Sequence, residues 1–144
     1  MKRILLCLDK SPLAADVHRA ALDIARSSRA KVRFFRVIEG AGELPETDED
    51  LVAAARSELD QFGRNDPPDL VAGSRAEISE VTWKAICEAA REENADLIVI
   101  GANSHGLIAR ILGTTAASVV NHADRSVLVV RSPKEHAMDS RSRA

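Results

Sequence analysis

Three short stretches of this 144-residue chain hold residue types that could do chemistry. Asp9 closes an apolar run at residues 3–8. Gly101-Ala102-Asn103-Ser104-His105-Gly106 follows a second apolar run, and Gly113-Thr114-Thr115 comes shortly after it. Glycine lets the main chain approach an anion closely, and N–H groups at a helix start point outward with partial positive charge. Thr114 and Thr115 would add hydroxyl donors, so these stretches suit a phosphate. Each also has a plainer reading. Asp9 serves equally as a loop carboxylate capping the next helix, and Gly113-Thr114-Thr115 as a simple helix cap.

Better-known motifs do not fit. The P-loop pattern GxxxxGK[ST] almost begins at Gly101 and Gly106 but fails at Leu107-Ile108, and there is no GxGxxG fingerprint. Ser104-His105 lacks the GxSxG elbow and the third orienting group that an acyl-transfer nucleophile needs, so His105 reads as a surface loop residue or a polar neighbour of the phosphates. A phosphoacceptor domain would need an acidic cluster after the first strand, where this chain has only Asp9. His18 reads as a solvent-facing helix residue, His122 as the end of the last helix and His136 as part of a polar tail, with no metal-ligand spacing among them. Cys7 and Cys87 lie in separate apolar segments and read as buried free thiols.

These residues hang on strands and helices in alternation. Residues 3–8, 31–39, 70–78, 96–100 and 126–130 are apolar or strand-favouring runs, the third weak and suited to an edge. Between them lie helical patterns. Ser11-Pro12 reads as a helix start ahead of Leu13, Val17, Ala20, Ala21 and Ile24. Thr47 with Asp48, Glu49 and Asp50 starts a helix whose apolar stripe is Leu51, Ala55, Leu59 and Phe62, with Gly63 at its end. Thr82 suits the cap of a third helix with Ile86, Ala89 and Ala90 inward. A fourth, at 115–122, carries Ala116, Val119 and Val120 on its inner side. Strand and helix in alternation imply right-handed crossovers and a parallel sheet covered on both faces, a three-layer α/β sandwich.

Composition bounds the function. One domain at residues 1–131 is expected, followed by a polar, disordered tail at 132–144. The 45% hydrophobic and 29% charged residues describe a globular chain. Twenty Lys and Arg against 22 Asp and Glu leave a charge of −2, and only 3% of residues are aromatic, so nucleic acid is not an expected partner. The apolar run near the start is too short for a signal-peptide core and none reaches membrane-spanning length. No membrane partner is therefore expected, and the location expected is cytoplasmic.

The first strand ending in Asp9 with Ser11-Pro12 beyond it, the segment Ala95-Asp96-Leu97-Ile98-Val99-Ile100-Gly101, the string Leu112-Gly113-Thr114-Thr115-Ala116-Ala117 and the closing stretch at 119–131 together resemble the universal stress protein family. The resemblance implies a five-stranded, mainly parallel sheet of order 3-2-1-4-5, flavodoxin-like or adenine nucleotide alpha hydrolase-like, commonly in a homodimer. One branch of the family binds ATP through Gly, two residues, Gly, nine residues, then Gly and Ser or Thr. Here Gly101 matches the first position, Ser104 replaces the second glycine, and Gly113-Thr114 arrives one residue early. Carried over, Asp9 would sit beside ribose and adenine, Val37 would contact adenine through its backbone, and Gly101, Gly113, Thr114 and Thr115 would surround the phosphates, with Ser104 in the same loop.

The resulting expectation is a stress-response regulatory protein that binds ATP with Mg²⁺, hydrolyses it slowly if at all, and uses occupancy to bias a regulatory partner. The alternative is a nucleotide-free dimeric interaction protein of the same fold. A homodimer is expected through the last strand, whose Val127, Leu128, Val129 and Val130 offer an apolar edge without Lys or Pro.

Overall fold

The computed structural model describes residues 1–40, 46–102 and 112–131. The first apolar run forms β1 (Arg3–Cys7), with four of its five residues buried. The chain continues through α1 (Ala14–Ser28), β2 (Lys31–Ile38), α2 (Asp48–Phe62), a 3-10 turn (Pro68–Leu70), β3 (Val71–Ile78), α3 (Thr82–Glu92), β4 (Leu97–Gly101), α4 (Thr114–His122) and β5 (Ser126–Val130). All the strand pairs are parallel, and the order is β3-β2-β1-β4-β5, the expected topology. The polar tail at 132–144 lies outside the described residues.

Side chains alternate across each strand and so feed two cores. On one face Val17 and Leu22 of α1 and Leu59 of α2 pack against Ile4, Leu6, Val32, Phe34 and Val99. On the other, Ile86 and Ala89 of α3 and Val119 of α4 pack against Leu5, Phe35, Ile98 and Ile100. Burial on both faces is why β1 and β4 read as unbroken apolar runs. Each large side chain fully buried there contributes about 1.5–3 kcal/mol.

Thr47 caps α2 as expected, its side chain accepting the Asp50 N–H at 3.2 Å, with Asp48, Glu49 and Asp50 in the first turn. Elsewhere the structure corrects local expectations. At Ser11-Pro12 the helix begins only at Ala14. Asp9 Oδ1 accepts the Ser11 N–H and Ser11 Oγ the Leu13 N–H, so short polar side chains build a turn before the helix. Thr82 is the first residue of α3, its hydroxyl donating to Glu39, and Val81 occupies the cap. Val120 is 45% exposed, because the buried line of α4 runs through Ala116 and Val119 and leaves position 120 at the rim.

Two features fix the far edge. Gly73 has φ +118° where the β2–β3 register shifts, leaving Ala72 as the extra residue of a bulge. Gly63 ends α2 at φ −87°, with no left-handed turn; a Cβ there would lie 3.0 Å from Phe34 Cζ, so its smallness serves packing.

Candidate functional site

Helices α1 and α2 cover one face and α3 and α4 the other, so the strand order reverses between β1 and β4. In open α/β sheets the crevice beyond the carboxyl ends of the strands at that reversal is where ligands bind. Asp9 stands two residues past the end of β1 and is exposed, with its Oδ1 3.0 Å from the Ser11 N. Gly101 ends β4, the Ala102 N–H donates to Val130 O at 2.9 Å, and the Gly113 N–H donates to Ala102 O at 3.2 Å. That last bond ties the start of α4 to the end of β4. Asp9, Gly101, Gly113, Thr114 and Thr115 thus share one end of the sheet.

The N-cap position of α4 is Gly113, which has no side chain to cap the helix. Its first-turn N–H groups carry the positive end of the helix dipole, and Thr114 is exposed beside them. Gly113 has φ −59° and ψ 158°, a conformation open to any residue, so the backbone itself does not demand glycine there. At Gly101 packing accounts for the glycine: an added Cβ would lie 3.0 Å from Leu13 Cδ2 and 3.2 Å from Val17 Cγ2 of α1. Val37 is half-buried near the end of β2. The Phe35 C=O accepts the Leu8 N–H at 3.0 Å, and two residues on, the Val37 main chain faces the same side, toward the end of β1. Ser104 and His105 lie outside the described residues.

On the α1–α2 side of Asp9 the surface opens into a groove of about 580 Å³, whose walls include Lys10, Ser11, Arg36, Glu58 and Gln61. Arg36 was not singled out from sequence. It is 6% exposed, its Nε donates to Leu8 O at 2.9 Å, and its Nη1 donates to Glu58. The signal was present in the strand alternation Val32, Phe34, Arg36, which puts a guanidinium on the buried face.

His18 also departs from expectation. Its ring is half-buried rather than solvent-facing, with Nε2 donating to Asp66 Oδ2 at 2.7 Å and the rings of Phe34 and Phe62 against it. His122 does close α4, where its Nδ1 donates to Ser118 O and its ring stacks on Trp83 at 4.2 Å. Both cysteines are buried free thiols as expected. Burial, the neighbouring Cys87 and Asp9 push the Cys7 thiol far above its ordinary range. Burial and then Asp124 also push Cys87 up. Glu93 shows the opposite balance. Burial alone would raise its carboxyl, but the bonds from Arg33 and Arg75 outweigh that and hold it below the usual range. Among the described residues no group of His, Cys, Asp and Glu is arranged to hold a metal ion, and no helix is long and apolar enough to cross a membrane.

The fold and the crevice define an open parallel α/β protein whose candidate site lies at the reversal of strand order. Residues 1–131 match the profile of the universal stress protein family, and the chain belongs to that family. Universal stress protein A homolog 1 of Coxiella burnetii is 27% identical over 139 residues, covering 90% of this chain and 95% of that protein. Universal stress protein G of Shigella flexneri is 46% identical over 44 residues, so this chain spans only 31% of that relative's length. A solved universal stress protein in complex with cAMP is 24% identical, with a TM-score of 0.66 over 90% of this chain and 96% of that one. The universal stress protein of Archaeoglobus fulgidus in complex with dAMP is 23% identical, with a TM-score of 0.60 over 91% of this chain and 98% of that one.

Proposed function

We propose that this chain is a nucleotide-binding regulatory protein that holds ATP across the carboxyl ends of β1 and β4. The observation that carries this reading is the placement of Asp9, just past β1, and of the start of α4, tied to the end of β4 by the Gly113–Ala102 bond, at the adjacent strand ends where the strand order reverses. Solved proteins of the same fold in complex with cAMP and dAMP support an adenine nucleotide as the ligand class. The first-turn N–H groups of α4 with Thr114 and Thr115 would take phosphate, Asp9 the ribose end and the Val37 main chain the base. Mg²⁺ would arrive on the phosphates, since this ion keeps several waters and few protein ligands. No P-loop lysine stands in the sequence, so hydrolysis would be slow and occupancy, in the cytoplasm, would bias a protein partner.

The packing of Gly101 against Leu13 and Val17 favours a second reading, in which the loop is structural and the protein acts as a nucleotide-free dimer. In both readings β5, an edge strand with half-buried valines, would pair with a second copy. Gentle purification followed by denaturation separates the readings: about one adenine nucleotide released per chain supports the first. Calorimetry with Mg·ATP should then show binding that Gly113→Val abolishes while the variant stays folded, because a side chain there blocks close approach. Equal affinity in the two would remove this loop from the site, and absence of binding by wild type would leave the second reading.

A further inference from the structure

We infer that Arg36 is a positioning residue for Asp9, holding the end of β1 from α2. The inference rests on the nucleotide reading for its functional consequence, but its geometry stands apart. Arg36 follows Val32 and Phe34 on the buried face of β2, where an aliphatic side chain would pack at no desolvation cost. A guanidinium is costly there unless its donors are used. Two of its nitrogens make hydrogen bonds. Nε donates to Leu8 O at 2.9 Å, and Nη1 donates to Glu58, a half-exposed carboxylate of α2 on the groove wall.

Leu8 is the residue between β1 and Asp9. Its N–H donates to Phe35 O, so β2 grips the residue by both polar groups, one through main chain and one through the Arg36 side chain. The Leu8 carbonyl belongs to the same planar unit as the Asp9 nitrogen. Fixing that carbonyl fixes the plane from which Asp9 departs, and the bond from Ser11 N–H to Asp9 Oδ1 then sets the carboxylate. Glu58, Arg36 and Leu8 form a chain of contacts from α2 to Asp9. Lys10 Nζ, 4.0 Å from Glu58 Oε1, closes the same group from the other side of Asp9. A residue that merely stapled α2 to the sheet would need only Glu58; the bond to the Leu8 carbonyl is the part that reaches the candidate site.

The experiment compares Arg36→Met, which keeps the stem, with Arg36→Lys, Asp9→Ala and the Arg36→Met/Asp9→Ala double variant. Amide resonances are read in the ligand-free protein and Mg·ATP affinity by calorimetry. Arg36→Met should move the Asp9 and Ser11 amides and weaken ATP about tenfold, the scale of a hydrogen bond to a charged group. Arg36→Lys should recover most of that loss. In the Asp9→Ala background Arg36→Met should cost no further affinity, whereas a purely structural role would add its loss in both backgrounds. Unmoved Asp9 and Ser11 amides in a folded Arg36→Met protein, or additive losses, overturn the inference. If wild type binds no ATP, the nucleotide reading falls while the ligand-free amides still decide the role of Arg36. Should Arg36→Met not fold, Glu58→Gln must move the same two amides, or the inference fails.

Discussion

His18 Nε2 donates to Asp66 Oδ2 at 2.7 Å, joining the first turns of α1 to the break that follows α2 across 48 positions of sequence. The ring also lies 5.6 Å from the rings of Phe34 and Phe62, so one side chain serves a polar and an apolar contact at once. Truncation to His18→Ala should remove both and leave the Asp66 carboxylate without this donor. The expected loss is about 2 kcal/mol of stability, from the bond and the aromatic contacts together. Asp66→Asn keeps an acceptor and should cost less. Urea unfolding measures both, and a His18→Ala protein as stable as wild type would contradict the assignment.

At Gly73 the positive φ is combined with crowding, since a Cβ would stand 2.8 Å from Arg33 Nη1. That guanidinium donates to Ala72 O from the bulge and, through Nε, to Glu93. Gly73→Ala should therefore strain the backbone and push Arg33 from its partners, at a cost of about 1–3 kcal/mol. Thermal unfolding reads the loss. A neutral substitution would mean that the bulge is not held as described.

Acid should weaken the fold through two carboxylates. The Lys2 and Arg3 N–H groups both donate to Asp96 Oδ2 and hold its carboxyl below the ordinary range, as the arginines do for Glu93. A lowered folded value means stability that is complete above the unfolded value, about pH 4, and is lost as pH falls through the folded one. Stability should drop below about pH 4 in wild type, and less steeply in Asp96→Asn. Urea midpoints between pH 6 and 3 test this; parallel curves for the two proteins would exclude Asp96 as a contributor.

The thiols should be silent in the native state. Cys7 and Cys87 are buried, and both are pushed toward the protonated form, which is the unreactive one. A disulfide reagent such as Ellman's should label neither at pH 8 within minutes, and both in urea. Rapid native labelling of Cys7 would show that the end of β1 opens.

The layered fold was legible because it depends on period and run length. Five apolar runs separated by helical patterns leave a parallel sheet as the arrangement that buries every run, and the universal stress motifs supplied the strand order. Thr47 was legible for a related reason, since its bond to Asp50 lies within one helical turn. Asp9, Gly101 and Gly113 could be placed at strand and helix ends from their neighbours alone.

What the sequence could not decide were contacts set by the rotation of one element against another. His18 and Val120 exchange their expected surroundings because a small rotation of a helix about its axis carries a side chain between solvent and a neighbour. Periodicity specifies the apolar stripe but not its edges. The packing room at Gly101 depends on how closely Leu13 and Val17 of α1 approach β4, a distance no local pattern contains. Arg36 was visible only as a charge in a strand. Its bonds to Leu8 and Glu58 needed β1, β2 and α2 assembled, because a buried guanidinium is satisfied by whichever acceptors the tertiary structure brings within reach.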